Sequence, residues 1–521
     1  MDPHALKNII KSKAIFLGLI IILLLGFFLR SYRLVDNPAG FFCDEASIGY
    51  NAYSILSSGK DEYGVFFPIF FQSLGDYKSP IEIYSTVPFV AIFGLNELST
   101  RLPSAFFGLI TIFLMYLLGK ELSPKNPKYL GLLAAFITAT MPWLIHYSRI
   151  GVEFSVYCAF FTGTVYLFTK AHENKKFIVP AFLLSAITLY TYQPPKLLIP
   201  MLLLGILLIY RKTFLSHMRH TIMGVFSFFI ISIPLLISFF NGEGFARFNM
   251  VSIFSAKLSF TESILHILQN YHIQLSPSYF LIGEPTFITR HFTGGLTPIL
   301  LITIPFLLIG IVYAASTIKQ SKISQILIYW LLIYPVAGAI TVDAPFTSRS
   351  VIGAPLFALF ISLGIAVTIF HAKTFAHKHT LTAIIIGTIL LNLSFFTKFY
   401  FTQYPLYSAD FWGWQYGARD IVRYFQENQS EYDDLVMAPE FNAPEIFFKF
   451  YAPHNCSKCQ TGFPHDRWNP DRKQLFAITP AYLALHKEFM FQTKKSVYYP
   501  DGQTAFEIGT ILKSTNDTIL K

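Results

Sequence analysis

Charge is what this sequence has least of. Only 13% of its 521 residues are Asp, Glu, Lys or Arg, against about 25% in an ordinary soluble protein. That scarcity excludes a disordered chain, which needs high charge and low hydrophobicity. Cysteine is scarce too. Four in the whole chain are too few for a disulfide-stapled miniprotein. The chain has no Walker-type loop, no dinucleotide Gly-rich fingerprint and no zinc-protease His pair, so no motif supports a nucleotide cofactor. What is abundant is apolar: 53% hydrophobic residues, with 55 Phe and 29 Tyr. This is the composition of a polytopic membrane protein. The net charge of +10 then reads as cationic cytoplasmic loops and not as a nucleic-acid surface.

The charges are unevenly spread. Residues 401–521 carry 26 of the 70, with 12 basic and 14 acidic; residues 1–400 carry 28 basic and 16 acidic. This divides a membrane domain, 1–400, from a soluble domain, 401–521, of ordinary domain size. A bilayer-spanning helix needs about 20 mostly apolar residues. Eleven runs qualify: 14–30, 102–119, 129–147, 150–169, 177–193, 197–210, 220–240, 297–318, 323–341, 350–370 and 380–398. No small-residue cleavage site follows the first, so it reads as an uncleaved anchor. Ile81–Gly94 is apolar but short and holds Glu82 and Pro88, which suits an interfacial helix.

Counting cations orients the chain. With the N-terminus inside, the even-numbered connections hold Lys120, Lys125 and Lys128; Lys170, Lys175 and Lys176; Arg211, Lys212 and Arg219; Lys319 and Lys322; and Lys373 and Lys378. The short outer connections hold one each, Arg149, Lys196 and Arg349. That bias fits the positive-inside rule. Residues 31–101 and 241–296 are then the two large outer loops, and the C-terminal domain is extracytoplasmic. A multi-pass protein of a prokaryotic inner membrane is the preferred reading. The tail reads as α/β: helices at Tyr416–Asn428, Pro444–Tyr451 and Ala481–Phe489, strands at Asp434–Ala438 and Leu475–Thr479, and a hairpin around Asp501-Gly502.

The eleven runs have no charged residue near their middle, so the polar chemistry gathers at the outer face. The first loop holds the acidic pair Asp44-Glu45 at the start of an amphipathic pattern. Asp44 suits a helix N-cap as well as a catalytic base. Tyr77-Lys78-Ser79-Pro80 follows, in which Lys78 fits a snorkelling anchor or a phosphate ligand. Arg149 and Glu153, four apart, can pair with each other. Lys196 and Arg349 are lone outer cations. Were these to converge on the acidic pair, they would make a phosphate pocket beside a carboxylate. Cys456 and Cys459 have CxxC spacing, open between a disulfide, free thiols and half of a metal knuckle.

In order and spacing, these residues resemble the membrane glycosyltransferases that use polyprenyl-phosphate sugar donors. The group is that of protein O-mannosyltransferases and aminoarabinose lipid A transferases, glycosyltransferase families 39 and 83, with the C-type fold. The resemblance rests on the acidic pair, on Tyr77-Lys78-Ser79-Pro80, on Asn96-Glu97 with Arg101-Leu102-Pro103-Ser104-Ala105, and on Tyr147-Ser148-Arg149 followed by an acid. It covers residues 14–200 by motif and 200–400 by topology. It implies a mostly α fold of about 11 membrane helices with a small α/β domain. It implies Asp44 as general base, Glu45 supporting it or binding a metal, Lys78 at the donor phosphate with Arg149 lining that site, and Glu153 as a second loop acid. Arg349, Lys196 and Tyr77 are added on topology and charge. The chain departs from the commoner pattern at Ser79, where many relatives have Pro, and at Glu153, where many have Asp. The acidic pair leaves a divalent cation open as cofactor. The implied partners are a polyprenyl-phosphate-linked sugar, a protein, lipid or glycan acceptor, and membrane lipids. An oligosaccharide transferase or glycan polymerase of the same fold, a flippase for lipid-linked sugars, and a non-catalytic scaffold are the competing readings.

Overall fold

The computed structural model describes residues 3–73, 75–122, 127–282, 289–291, 297–454 and 456–514. Each of the eleven apolar runs holds a helix. Six helices are long and apolar enough to cross a membrane: Ser12–Ser31, Glu97–Glu121, Met218–Phe240, Lys322–Ala339, Gly353–Phe370 and Phe375–Tyr407. Four shorter apolar helices, Pro80–Phe93, Lys128–Thr140, Pro195–Ile209 and Leu301–Ser316, lie among them. Phe226, Phe229, Ile233 and Ile237 on one of the long helices are all exposed. Such a surface is unfavourable in water and ordinary against lipid.

The first nine helices build the region around the acidic loop. They are α1 Pro3–Ser31, α2 Cys43–Ser58, α3 Pro80–Phe93, α4 Glu97–Glu121, α5 Pro127–Thr140, α6 Pro142–Tyr147, α7 Phe154–Glu173, α8 Ile178–Thr188 and α9 Pro195–Ile209. The expected run 129–147 is broken. Met141, the residue before Pro142, is extended at φ −74°, ψ 120°, as the residue before a proline prefers. The amide of Trp143 then donates to the Pro298 carbonyl at 2.9 Å.

Ile81–Gly94 is helical, as α3, with Pro80 at its first turn and Gly94 closing it at φ +74°. The helix expected to lie along the membrane surface after Asp44 is instead enclosed. On α2, Glu45, Ala46, Ser47, Ile48, Gly49, Asn51 and Ala52 are all buried. The cause is packing from two sides: α3 and α4 on one, and the helix Glu445–Tyr451 of the C-terminal domain on the other. A Cβ on Gly49 would lie 2.4 Å from Thr100 Oγ1 and 2.6 Å from the Phe450 ring, so only glycine fits there.

The strands are β1 Phe71–Ser73, β2 Asp76–Lys78, β3 Asp434–Met437, β4 Cys459–Thr461, β5 Gln474–Ile478, β6 Phe489–Tyr498 and β7 Thr504–Ser514. β1 and β2 form a hairpin in the first outer loop, pairing Phe71 with Lys78 and Ser73 with Asp76. The other five make one sheet in the order β4-β3-β5-β7-β6. β3 runs parallel to β4 and β5, and β7 runs antiparallel to β5 and β6. The expected hairpin turns at Gly502, φ +89°, and its strands are longer than the sequence pattern indicates. β4 is unexpected: three residues give too little alternation to read. Cys459, the first residue of β4, forms a disulfide with Cys456, so of the readings left open for the CxxC pair the structure has the covalent one.

Candidate active site

The site begins with two side chains brought 34 positions together. Lys78 ends β2, and the β1–β2 pairing presents its ammonium to α2. Nζ donates to Asp44 Oδ1 at 2.5 Å. The Lys78 side chain is 12% exposed and that of Asp44 38%. Burial pushes the Asp44 carboxyl up, but the Lys78 ammonium, its hydrogen bond, Arg290 and Arg247 together hold it below the ordinary aspartate range. Burial pushes Lys78 down, and Asp44 and Glu153 outweigh it and raise the ammonium above its ordinary value. Both groups are thus ionised at neutral pH. Glu153, immediately before α7, is the second acid within electrostatic reach of Lys78. The expected convergence of Asp44, Lys78 and Glu153 is present.

Two cations of this cluster were not picked out from the sequence. Arg247, in the helix Ala246–Val251, pairs with Asp76 of β2 at 3.6 Å. Arg290 places its guanidinium 4.0 Å from the Phe42 ring and donates to the Trp412 carbonyl at 2.9 Å. Both bias Asp44 toward its ionised form. They lie in the second outer loop, which carries no motif. The usable signal was topological: they are arginines in a loop that the cation count assigns to the outer side.

Glu45, expected to support Asp44 or bind a metal, is engaged by other partners. It points away from Asp44, as adjacent residues on a helix do, and is completely buried. Arg101 grips it with two parallel bonds, Nε to Oε1 at 2.8 Å and Nη2 to Oε2 at 2.9 Å. Gly151 N and Phe42 N donate to the same carboxylate at 2.8 and 3.2 Å. Glu45, and not Asp44, therefore caps the first turn of α2. With both its oxygens engaged, the Asp44-Glu45 pair does not offer two carboxylates to one divalent cation, and the residues do not fit the metal left open from the sequence. Asn96-Glu97-x-x-x-Arg101 thus serves as scaffold: the other Arg101 nitrogen, Nη1, donates to the carbonyls of Leu34 and Pro38.

Arg149 also departs from expectation. It is fully buried and donates to the carbonyls of Leu29, Tyr32 and Asn37 at 2.7–2.9 Å. Its guanidinium lies 4.8 Å from the Phe401 ring. It organises the irregular segment before the acidic pair, whose buried carbonyls need donors, and does not line the Lys78 pocket. Arg349 makes a two-pronged pair with Asp343 and donates to Thr341 Oγ1 at 2.7 Å. It shares an electrostatic neighbourhood with Glu153 and Arg247 through Tyr192. Lys196 acts at one remove: Nζ donates to Gln193 Oε1 at 2.6 Å, and Gln193 Nε2 donates to the Tyr77 carbonyl at 2.9 Å. The backbone of Tyr77 is thus what the site uses, and Lys196 steadies the hairpin that carries Lys78.

Chemically, the cluster is a partly exposed carboxylate ion-paired to a largely buried lysine, with a second acid and further arginines around it. It can receive an anion such as a phosphate on Lys78 and the arginines, and it can accept a proton on Asp44.

Comparison with known proteins follows this geometry. Residues 78–237 match the family described as dolichyl-phosphate-mannose-protein mannosyltransferase. Among curated proteins none matches. Among solved structures, ArnT from Cupriavidus metallidurans bound to undecaprenyl phosphate is similar at a TM-score of 0.53 and 12% identity, covering 95% of this chain and 98% of that one. The Archaeoglobus fulgidus oligosaccharyltransferase tethered to an acceptor peptide is similar at 0.53 and 12%, covering 97% and 75%. The archaeal oligosaccharyltransferase AglB from the same organism, in complex with an inhibitory peptide and a dolichol-phosphate, gives 0.52 and 13%, covering 85% and 64%. At such identities what is shared is the fold. The chain has the C-type glycosyltransferase fold, as its resemblance implied.

Proposed function

We propose that this chain is a membrane glycosyltransferase that moves a sugar from a polyprenyl-phosphate donor to a hydroxyl or amine acceptor at the outer face, with inversion. The observation that carries the reading is the Asp44–Lys78 pair at 2.5 Å, held beneath Arg247 and Arg290. Solved structures of this fold hold undecaprenyl phosphate and a dolichol-phosphate, and a lipid phosphate is the anion such a cluster suits.

In this mechanism the donor phosphate draws Lys78 away from Asp44. The acceptor oxygen or nitrogen attacks the anomeric carbon while the carbon–oxygen bond to phosphate breaks. The acceptor proton passes to Asp44, and the lipid phosphate leaves as an anion. That leaving group needs cations more than an acid, because negative charge accumulates on it as the bond breaks. Lys78 meets the developing charge, and Arg247, Arg290 and Arg349 supply a surrounding positive field. The sugar and the acceptor class stay open; oligosaccharide transfer is the same chemistry with a larger donor.

The test is Asp44→Asn with a radiolabelled polyprenyl-phosphate sugar and acceptor. Loss of about 10²–10⁴ in turnover, the usual range for a positioned acid or base, is the expected result. Undiminished turnover in folded protein removes Asp44 as the base.

A further inference from the structure

A second cleft lies in the C-terminal domain, between the connector 408–417 and the carboxyl ends of the parallel strands β3 and β5, with a volume of about 590 Å³. The carboxyl ends of parallel strands are where α/β sheets receive ligands. Three of its residues are unusual. Gln415 is 2% exposed, yet neither Oε1 nor Nε2 has a hydrogen-bond partner. Its backbone sits at φ +53°, the left-handed region that side-chain-bearing residues seldom adopt. Glu440 accepts from Thr479 Oγ1 at 2.8 Å through Oε1, while Oε2 is buried and unpartnered. Asp410 is exposed and accepts from the Gly413 amide at 2.7 Å.

A buried amide with both ends unpaired is costly unless something completes it. The cleft walls suggest what does. Phe411 is 40% exposed, and the Tyr416 and Tyr499 rings stand 6.3 Å apart at 47°. Among the described residues, no Lys or Arg lines the cleft. Burial together with Asp410, Glu440 and Asp501 raises the Tyr499 hydroxyl above its ordinary value, which reports a negative field.

We propose that this cleft binds an uncharged saccharide. Sugar C–H faces stack on exposed rings, the Gln415 amide offers one donor and one acceptor to neighbouring hydroxyls, and Glu440 Oε2 accepts a third bond. The acidic lining rejects phosphorylated and uronic sugars. Asp44 does not line this cleft, and the proposal stands whether or not the transfer chemistry does.

The experiment uses the full-length protein in lipid nanodiscs, because maltoside detergents would compete. Saturation-transfer NMR and calorimetry are run with maltotriose, mannotriose and triacetylchitotriose, and with trigalacturonic acid as the charged counterpart. At least one neutral trisaccharide binds, and the charged one does not. Gln415→Gly weakens binding about tenfold, as loss of paired hydrogen bonds predicts. Its Tm stays at or above the wild-type value, because glycine adopts positive φ freely. The proposal is overturned if none of the three neutral sugars binds, if Gln415→Gly binds as well as wild type, or if trigalacturonic acid binds equally. Binding that vanishes in Asp44→Asn overturns it as a separate site.

Discussion

Lys78 does two things to Asp44: it neutralises the carboxylate at rest and it keeps that carboxylate ionised. The pH profile separates these. Asp44 titrates below the ordinary aspartate range, so kcat/KM stays level as pH falls through that range and drops only beneath it. Lys78→Met removes the strongest of the opposing influences. Burial, which pushes the carboxyl up, then prevails, and the acid limb of the residual activity moves to higher pH. A limb that stays put in Lys78→Met would belong to another group. The same depressed carboxyl contributes stability that is present above the unfolded aspartate value and lost as pH falls through the folded one. Arg101→Leu behaves differently. It leaves Glu45 buried and unpaired, at a cost of about 3–5 kcal/mol, read as a fall in Tm with no change in the pH profile of whatever activity survives. The pairing of Asp44 and Lys78 was partly legible in the sequence because each sits in a local motif of the first loop. Arg149 misled, because an arginine beside a membrane face looks available for phosphate, and nothing local reveals carbonyls from Leu29, Tyr32 and Asn37 waiting for its nitrogens.

The helix α2 is the element on which the site turns, and Gly49 is its tightest point. Gly49→Val drives a side chain into Thr100 and Phe450, with a cost of about 1–3 kcal/mol or more from overpacking. The result to measure is proteolysis: the connector 408–417 becomes more rapidly cleaved as the C-terminal domain loosens, while the membrane helices stay protected. Unchanged cleavage would mean that the helix Glu445–Tyr451 does not depend on this contact. The helical pattern of α2 was visible from its apolar spacing, but its enclosure was not. Its partner, the helix Glu445–Tyr451, lies some 400 positions on, and an amphipathic face reads the same whether lipid or a distant helix covers it. Short elements fared similarly: α3 was evident from Pro80 and Gly94, which mark its ends, whereas β4 is made of three residues and is recognised by its parallel pairing to β3.

For the whole molecule, the charge distribution predicts sidedness. An impermeant maleimide added to intact cells labels Lys495→Cys on β6 but reaches Lys175→Cys only after the membrane is opened. The native cysteines do not interfere, since Cys43 and Cys158 are buried and the others are bonded. The reverse pattern would invert every loop assignment. The C-terminal domain is tied to the first outer loop by Lys449 to Glu62 at 2.9 Å, Tyr451 to Glu97 at 2.9 Å and Arg419 to Glu97 at 3.4 Å. A chain ending at residue 408 therefore loses transfer even though its membrane helices remain; full activity in that truncation would make the domain dispensable. The change of composition near residue 400 was readable because solvent and lipid demand different compositions. The docking was not, because its packing and its ion pairs join residues hundreds of positions apart.

The grip on Glu45 has a consequence for biosynthesis. The chain emerges N-terminus first, so this carboxylate is synthesised before its counter-charge. Arg101 arrives only with α4, the Gly151 amide only with the turn before α7, and Phe450 last of all. The acidic loop is translated early and completed late. A chain that stops short of Arg101 and Gly151 lacks the partners that enclose Glu45, and with them the fixed start of α2.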